Sequence, residues 1–370
     1  MTLRNVLFLA EGQLGDLLLL TPALRGMKAG HPGIRQSVLV LERRSRAPLD
    51  AEHPIAGPLA PNADSPLAGN PNVDRLFTLN RDAVRSLPLT ARLRAELAIV
   101  RFVRAGRYDA VVCTFPEDRF AIWAFLSGAA TRVGQRKQGL RMLLSVQPDI
   151  RKADSGVRSY YCSLVRACGA PCATDRTEYM VSGEARSWAG EALAGAGVPS
   201  GGRVVLLHPG ATGDYKIWPP ERWAELMDML EELPLTVILC AGPLDEGIVG
   251  SIREHATRAP RIVDTGGKIG RLAAMMERSA LCITNDSGPR HLAVAVGAPS
   301  LAFFRLHHDR EWRVYDEGDR CATLRGTSAC PQCPADRCSD RLPEGERFGS
   351  HCIRLISVED AFAAAKKMLS

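Results

Sequence analysis

Residues 6–28 read VLFLAEGQLGDLLLLTPALRGMK, and their punctuation decides the fold class. The apolar run 6–10 has no polar alternation, so it suits a strand buried on both faces of a sheet. Gly12 and Gly15 let the chain turn tightly, and Asp16 opens a helix predicted over 16–27. A strand, a glycine turn and a helix form the first half of a βαβ unit. The same rhythm continues outward. Further short apolar runs stand at 38–41, 75–79 and 110–114, the last two separated by an arginine-rich helix. After a joining region around 170–200 the pattern restarts, with strands predicted at 204–207, 236–240, 261–263, 281–284 and 300–304. A helix at 219–230 has Pro219 and Pro220 in its first turn, where a missing N–H costs nothing. A last helix is predicted at 358–369, and the sequence does not show which core it covers.

Two successive runs of βα units predict an α/β protein with two Rossmann-like domains facing across a cleft. The expected spans are 1–180, 181–355 and a terminal helix in 356–370. The length of 370 residues suits two cores of about 150 to 200 residues each. A hydrophobic content of 46% with 24% charge is that of a globular enzyme. The net charge of +6 fits an anionic substrate or membrane surface and falls short of a nucleic-acid signature. No signal peptide is readable, and no apolar stretch approaches the roughly 20 residues of a membrane span. Cys113, Cys240 and Cys282 fall inside predicted strands, where thiols pack as small hydrophobes. A reducing, cytoplasmic compartment is the expectation. Residues 48–72 hold six prolines and no periodicity, the pattern of a long functional loop or an idle insertion.

Three motifs follow strands, where open α/β sheets bind ligands. The first is Glu11-Gly12-Gln13-Leu14-Gly15-Asp16. It lacks the third glycine of a dinucleotide fingerprint and places an acid where a pyrophosphate would approach, so Asp16 is either a helix N-cap or a reactive carboxylate. The second, 208–219, reads HPGATGDYKIWP. Its backbone N–H groups and Lys216 suit a diphosphate, although the Walker spacing is missing and an ordinary loop with an exposed lysine is the alternative. The third, 285–293, reads NDSGPRHLA and opens a helix whose N-terminus offers N–H groups and partial positive charge. Asp286 and His291, five residues apart, cannot share a face of one regular helix, so Asp286 is expected before the helix and His291 inside it.

Together these segments resemble glycosyltransferase family 9, the heptosyltransferases that use ADP-heptose in lipopolysaccharide assembly. The resemblance rests on 6–28 with Gly15-Asp16 and Thr21-Pro22-Ala23-Leu24, and on Arg132-Val133-Gly134. It rests equally on His208-Pro209-Gly210, on Lys216-x-Trp218-Pro219 and on Asn285 through Ala293. It implies a GT-B fold with an N-terminal acceptor domain and a C-terminal nucleotide-sugar domain. It implies Asp16 as general base, with Gln13 and Gly15 on the acceptor side. Lys216 would neutralise the donor diphosphate, with Gly210, Thr212, Asp286, Ser287, Gly288 and His291 lining the donor site. Asp245 or Glu246 would reach the ribose.

Direct displacement at the anomeric carbon needs a base on one face and stabilisation of the leaving diphosphate on the other. It would invert configuration. No D-x-D stands near the donor motifs, so no cofactor is expected beyond the ADP-sugar co-substrate. The expected acceptor is an anionic glycan or glycolipid, with peripheral contact at the inner membrane. Arginines 92, 94, 101, 104 and 107 suit such an acceptor or simply a solvated helix face. Cys330, Cys333, Cys338 and Cys352, with Cys321 upstream, fit a structural zinc or iron site, reduced thiols or local disulfides. Another GT-B enzyme, such as an epimerase or a transferase using a different nucleotide sugar, and a non-catalytic nucleotide-sugar-binding protein are the competing readings.

Overall fold

The computed structural model describes residues 2–42, 50, 52–61, 63–135, 139–150, 156–173, 176–306, 320–328 and 352–370. The chain divides into two compact units, Met1–Met180 and Val181–Ser370. Unit 1 runs β1 (Asn5–Glu11), α1 (Leu14–Gly30), β2 (Arg35–Glu42), β3 (Ile55–Ala56), β4 (Arg75–Asn80), α2 (Arg81–Ser86) and α3 (Leu89–Ala105). It continues through β5 (Ala110–Cys113), α4 (Asp118–Leu126), β6 (Thr131–Val133) and α5 (Val157–Arg166). Its strands lie in the order β3-β4-β2-β1-β5-β6, parallel except for β3, which pairs antiparallel with β4. Every β1 residue after Asn5 is buried, as its unbroken apolar run requires. Leu7, Leu9, Leu39 and Leu41 pack with Ile99 and Val103 of α3 and Phe120 and Trp123 of α4. The alternate residues Val6, Phe8, Val38 and Val40 are buried too, because a parallel sheet is covered on both faces.

The helix α1 tolerates Pro22 in its interior. A proline there cannot donate to the carbonyl four residues earlier. The Thr21 hydroxyl donates to Leu18 O at 2.7 Å instead, so the Thr-Pro pair closes its own backbone deficit. Gly26 and Gly30 on the same helix admit residues 170–172. A Cβ on Gly26 would lie 2.4 Å from Pro171 O.

Unit 2 runs α6 (Gly183–Gly195), β7 (Val204–His208), α7 (Pro220–Leu230), β8 (Thr236–Ala241), α8 (Glu246–His255), β9 (Ile262–Asp264) and α9 (Ile269–Glu277). It ends with β10 (Leu281–Asn285), α10 (Gly288–Ala295), β11 (Ser300–Phe304), β12 (Cys321–Arg325) and α11 (Val358–Leu369). The order β12-β11-β10-β7-β8-β9 is that of a doubly wound sheet, whose direction of winding reverses between β7 and β10. The terminal helix covers unit 2: Val358, Ala361 and Ala365 join the core of Leu226, Met227 and Leu230.

Some expectations change. The first helix begins at Leu14, with Gln13 as its N-cap, because the Leu17 N–H already donates to Gln13 O at 3.1 Å. The two-residue β3 falls inside the proline-rich 48–72 segment, and β6 and β12 are edge strands too short or too polar to register as apolar runs. Cys113, Cys240 and Cys282 are buried free thiols, but Cys162 and Cys172 form a disulfide, which the expectation of reduced thiols did not include. Their Cα atoms stand 5.4 Å apart, within bridging distance. Among the described residues, no helix is long and apolar enough to cross a membrane.

Candidate active site

In unit 1 the chemistry gathers beyond the carboxyl end of β1, where the winding reverses between β1 and β5. The Gly12 N–H donates to Leu41 O at 2.8 Å, and a Cβ on Gly12 would lie 2.7 Å from that carbonyl. Glycine is therefore required by the turn itself. Gln13 is exposed and makes no side-chain cap bond. Gly15 and Asp16 are buried in the first turn of α1. Asp16 is thus not the N-cap; the helix starts two residues earlier and turns its carboxylate inward. Tyr161 of α5 donates its hydroxyl to Asp16 Oδ1 at 2.8 Å. Burial, and then the negative charge of Asp16, push the Tyr161 hydroxyl well above its ordinary value, so it stays a proton donor in this bond. Glu11 is buried beside them, with Arg81 Nη1 at 3.8 Å. Arg81 in turn holds Glu117 at 2.7 Å, and Arg85 reaches Glu117 at 3.2 Å. The result is a carboxylate of fixed orientation, suited to accepting a proton from a bound hydroxyl.

In unit 2 the second and third motifs meet at the reversal between β7 and β10. The side chain of Asn285, fully buried at the end of β10, ties them together. Its Oδ1 accepts the Trp218 N–H at 3.2 Å, and its Nδ2 donates to Pro209 O. One amide thereby clamps the 208–219 loop on both sides of Lys216. Trp218 anchors the loop further. Its ring lies 4.6 Å from Phe303 and 5.4 Å from Trp223, and its indole N–H donates to Ile356 O at 3.1 Å. Lys216 closes the short turn Asp214–Lys216 and is half-buried.

Gly210 sits where a Cβ would fall 1.8 Å from Asp245 Oδ1. Asp245 is itself fixed by the Gly242 N–H at 2.8 Å and lies 3.8 Å from His208 Nε2. Burial lowers the His208 value, with Asp245 opposing. Between the two residues expected to reach a ribose, Asp245 is the one packed into this cluster, whereas Glu246 opens α8 and is exposed. Thr212 is likewise exposed on the loop.

Ser287 is the N-cap of α10, and its hydroxyl donates to Gly210 O at 3.3 Å. Gly288 starts the helix, Asp286 precedes it, and His291 lies within it and is buried. Burial pushes His291 down to about 3, helped by the charges of Arg290 and Lys216 and opposed by Asp286. Lys216, Asp286 and Arg290 are therefore each within electrostatic reach of His291, which is neutral near pH 7. The helix start adds partial positive charge to the same place. The site can hold an anion with fixed dipoles and cations.

Sequence reasoning named no role for Tyr161, Asn285, Arg290 or Arg305. Arg305, which follows β11, is 1% exposed and lies with its guanidinium 4.6 Å over the Tyr215 ring, next to Lys216. Arg290 stacks at 4.6 Å over Phe304. An arginine beside His291 in a short helix with no other polar side chain was a readable signal for Arg290; nothing near Tyr161 marks it. Cys330, Cys333 and Cys338 lie outside the described residues. Cys352 is buried, and its Sγ accepts the Leu306 N–H at 3.2 Å. No group of three metal-ligating side chains occurs among the described residues.

Two Rossmann-type units, each with its polar cluster where strand winding reverses, are the architecture of the GT-B fold class. The chain is 23% identical over 310 residues to lipopolysaccharide heptosyltransferase 3 of Escherichia coli, covering 81% of this chain and 83% of that protein. The fold is similar to that of a glycosyl transferase family 9 protein from Veillonella parvula DSM 2008, with a TM-score of 0.76, 21% identity and coverage of 99% and 97%. It is also similar to the E. coli ADP-heptose lps heptosyltransferase II, with a TM-score of 0.69, 18% identity and coverage of 99% and 98%. Residues 97–339 match glycosyltransferase family 9 (heptosyltransferase), and the chain belongs to that family.

Proposed function

We propose that this enzyme transfers a heptose, or a closely related sugar, from an ADP-sugar to a hydroxyl of a lipopolysaccharide-core-type acceptor, with inversion at the anomeric carbon. The observation that carries the reading is the grouping of Lys216, Asp286, Arg290 and His291 around a loop tied by Asn285, within a family 9 chain. In this mechanism Asp16, oriented by Tyr161, takes the acceptor proton as the new bond forms. Lys216 and the start of α10 stabilise the departing diphosphate. His291, neutral and buried, orients the donor and transfers no proton. Gly210, Ser287 and Gly288 allow close backbone approach, Thr212 lies beside the phosphates, and Asp245 or Glu246 serves the ribose. Gln13 and Gly15 border the acceptor.

No divalent cation takes part in the step. A glycolipid acceptor would put the enzyme at the cytoplasmic face of the inner membrane, as a peripheral protein. Incubation with a panel of nucleotide sugars and a core-oligosaccharide acceptor, read by mass spectrometry, tests the reading. The expected product gains one heptose from ADP-heptose only. Transfer from a different nucleotide sugar, or epimerisation of the donor, overturns it. The same assay in excess chelator should proceed unchanged. Loss restored by magnesium or manganese contradicts the metal-free step, whereas loss restored only by zinc or iron points to a structural ion at Cys330, Cys333, Cys338 and Cys352.

A further inference from the structure

The outward side of α3 carries an apolar row that the core does not use. Leu89, Leu93 and Leu97 are 72%, 61% and 49% exposed. At a spacing of four, successive members turn only about 40° around the axis and so form one strip. Ala95, Ile99 and Val103 are the buried side of the same helix. Arg101 continues the strip, and Arg92, Arg94, Arg104 and Arg107 are exposed around it. The single acid of the helix, Glu96, is turned to α4, where it accepts from Trp123 Nε1 at 3.2 Å and lies 3.6 Å from Arg119. It therefore leaves the arginine charges unbalanced. The neighbouring α4 adds Ile122, Phe125 and Leu126, which are 38%, 50% and 37% exposed. Where α3 and α4 end, Arg101, Arg104, Arg107, Tyr108 and Ser127 line a shallow groove.

Large apolar side chains gathered on one face are disfavoured in water and mark an interaction surface. The arginines decide which kind. At an anionic bilayer the leucines enter the boundary between headgroups and acyl chains, while guanidinium groups pair with lipid phosphates. A second copy of the chain would present the same arginines, so like charges oppose self-association through this face. We propose that the α3–α4 face docks the protein onto an anionic phospholipid bilayer. The proposal draws its purpose from the glycolipid acceptor read above, but its test uses neither donor nor acceptor, so the two can fail separately.

The full chain should co-sediment with vesicles of equal parts phosphatidylcholine and phosphatidylglycerol, and at least about 10-fold less with phosphatidylcholine alone. High salt should weaken the anionic binding, since the Debye length shrinks to about 3 Å at 1 M. The double variant Leu93→Glu/Leu97→Glu should lose at least about 10-fold in vesicle binding, and Arg101→Glu/Arg104→Glu should lose the preference for the anionic lipid. Thermal melting of each variant controls for folding; both pairs are exposed and should melt as the parent does. Absence of vesicle binding overturns the proposal, as does equal binding to neutral vesicles or full binding by the leucine variant. Concentration-dependent dimerisation abolished by Leu93→Glu/Leu97→Glu, without vesicle binding, assigns the face to a second copy instead.

Discussion

The carboxyl ends of β1 and β7 occupy corresponding positions in two similarly wound sheets, yet they carry opposite chemistry. Each is followed by a glycine with no room for a side chain: Gly12 against Leu41 O, Gly210 against Asp245 Oδ1. After Gly12 come buried acid and phenol, with Asp16 held by Tyr161 and Glu11 close by. After Gly210 come Lys216, a helix start and a buried histidine that stays neutral beside Arg290. Topology supplies a concave place with exposed backbone groups, and the residues put there decide its sign. In the function proposed above, one end accepts a proton and the other holds an anion.

The cationic loop depends most heavily on its anchor, Trp218. Trp218→Ala should cost about 3–5 kcal/mol of stability, the usual range for a large buried aromatic. Calorimetric melting of the full chain reads it, and a shift within error would mean that Lys216 is held by other contacts. On the acidic side, Asp16→Asn should lower turnover by at least about 100-fold while nucleotide affinity stays within a few-fold. Near-normal turnover would remove the base from that end.

Lys216→Ala should weaken ADP binding by about 10-fold or more, as expected for loss of a charge-assisted contact. Titration calorimetry showing unchanged affinity would leave the anion to the helix start alone. His291 sharpens the contrast through pH. Its folded value, about 3, lies below the unfolded value of about 6.5. The unfolded chain therefore binds more protons as pH falls below 6.5, and the stabilisation present above that pH is lost progressively toward 3. His291→Gln should reduce the dependence by about 1.4 kcal/mol per pH unit within the window; parallel pH profiles for parent and variant would contradict the burial argument. The smallest effect belongs to Tyr161→Phe. Turnover should fall roughly 3- to 10-fold, the worth of one oriented hydrogen bond, with KM for the donor unchanged. A change confined to donor KM would show that Tyr161 acts elsewhere.

The βα rhythm was legible in the residues alone, because a strand buried on both faces must be a continuous apolar run and its turn must be glycine. It also marked the three strand-end motifs, since each combines those turn glycines with polar residues that a buried loop would otherwise exclude. Asp286 before α10 and His291 within it followed from helical periodicity alone. Tertiary structure alone decided what each motif touches. Tyr161 reaches Asp16 across 145 residues, Asn285 joins Pro209 and Trp218, and α11 settles on unit 2. Such pairings arise from burial and hydrogen-bond satisfaction between distant segments, and no local propensity encodes them. For the same reason Asp16, read beside its neighbours alone, could be either a cap or a reactive carboxylate. Only the packing of α5 on α1 turned it into a buried carboxylate with a phenol donating to it.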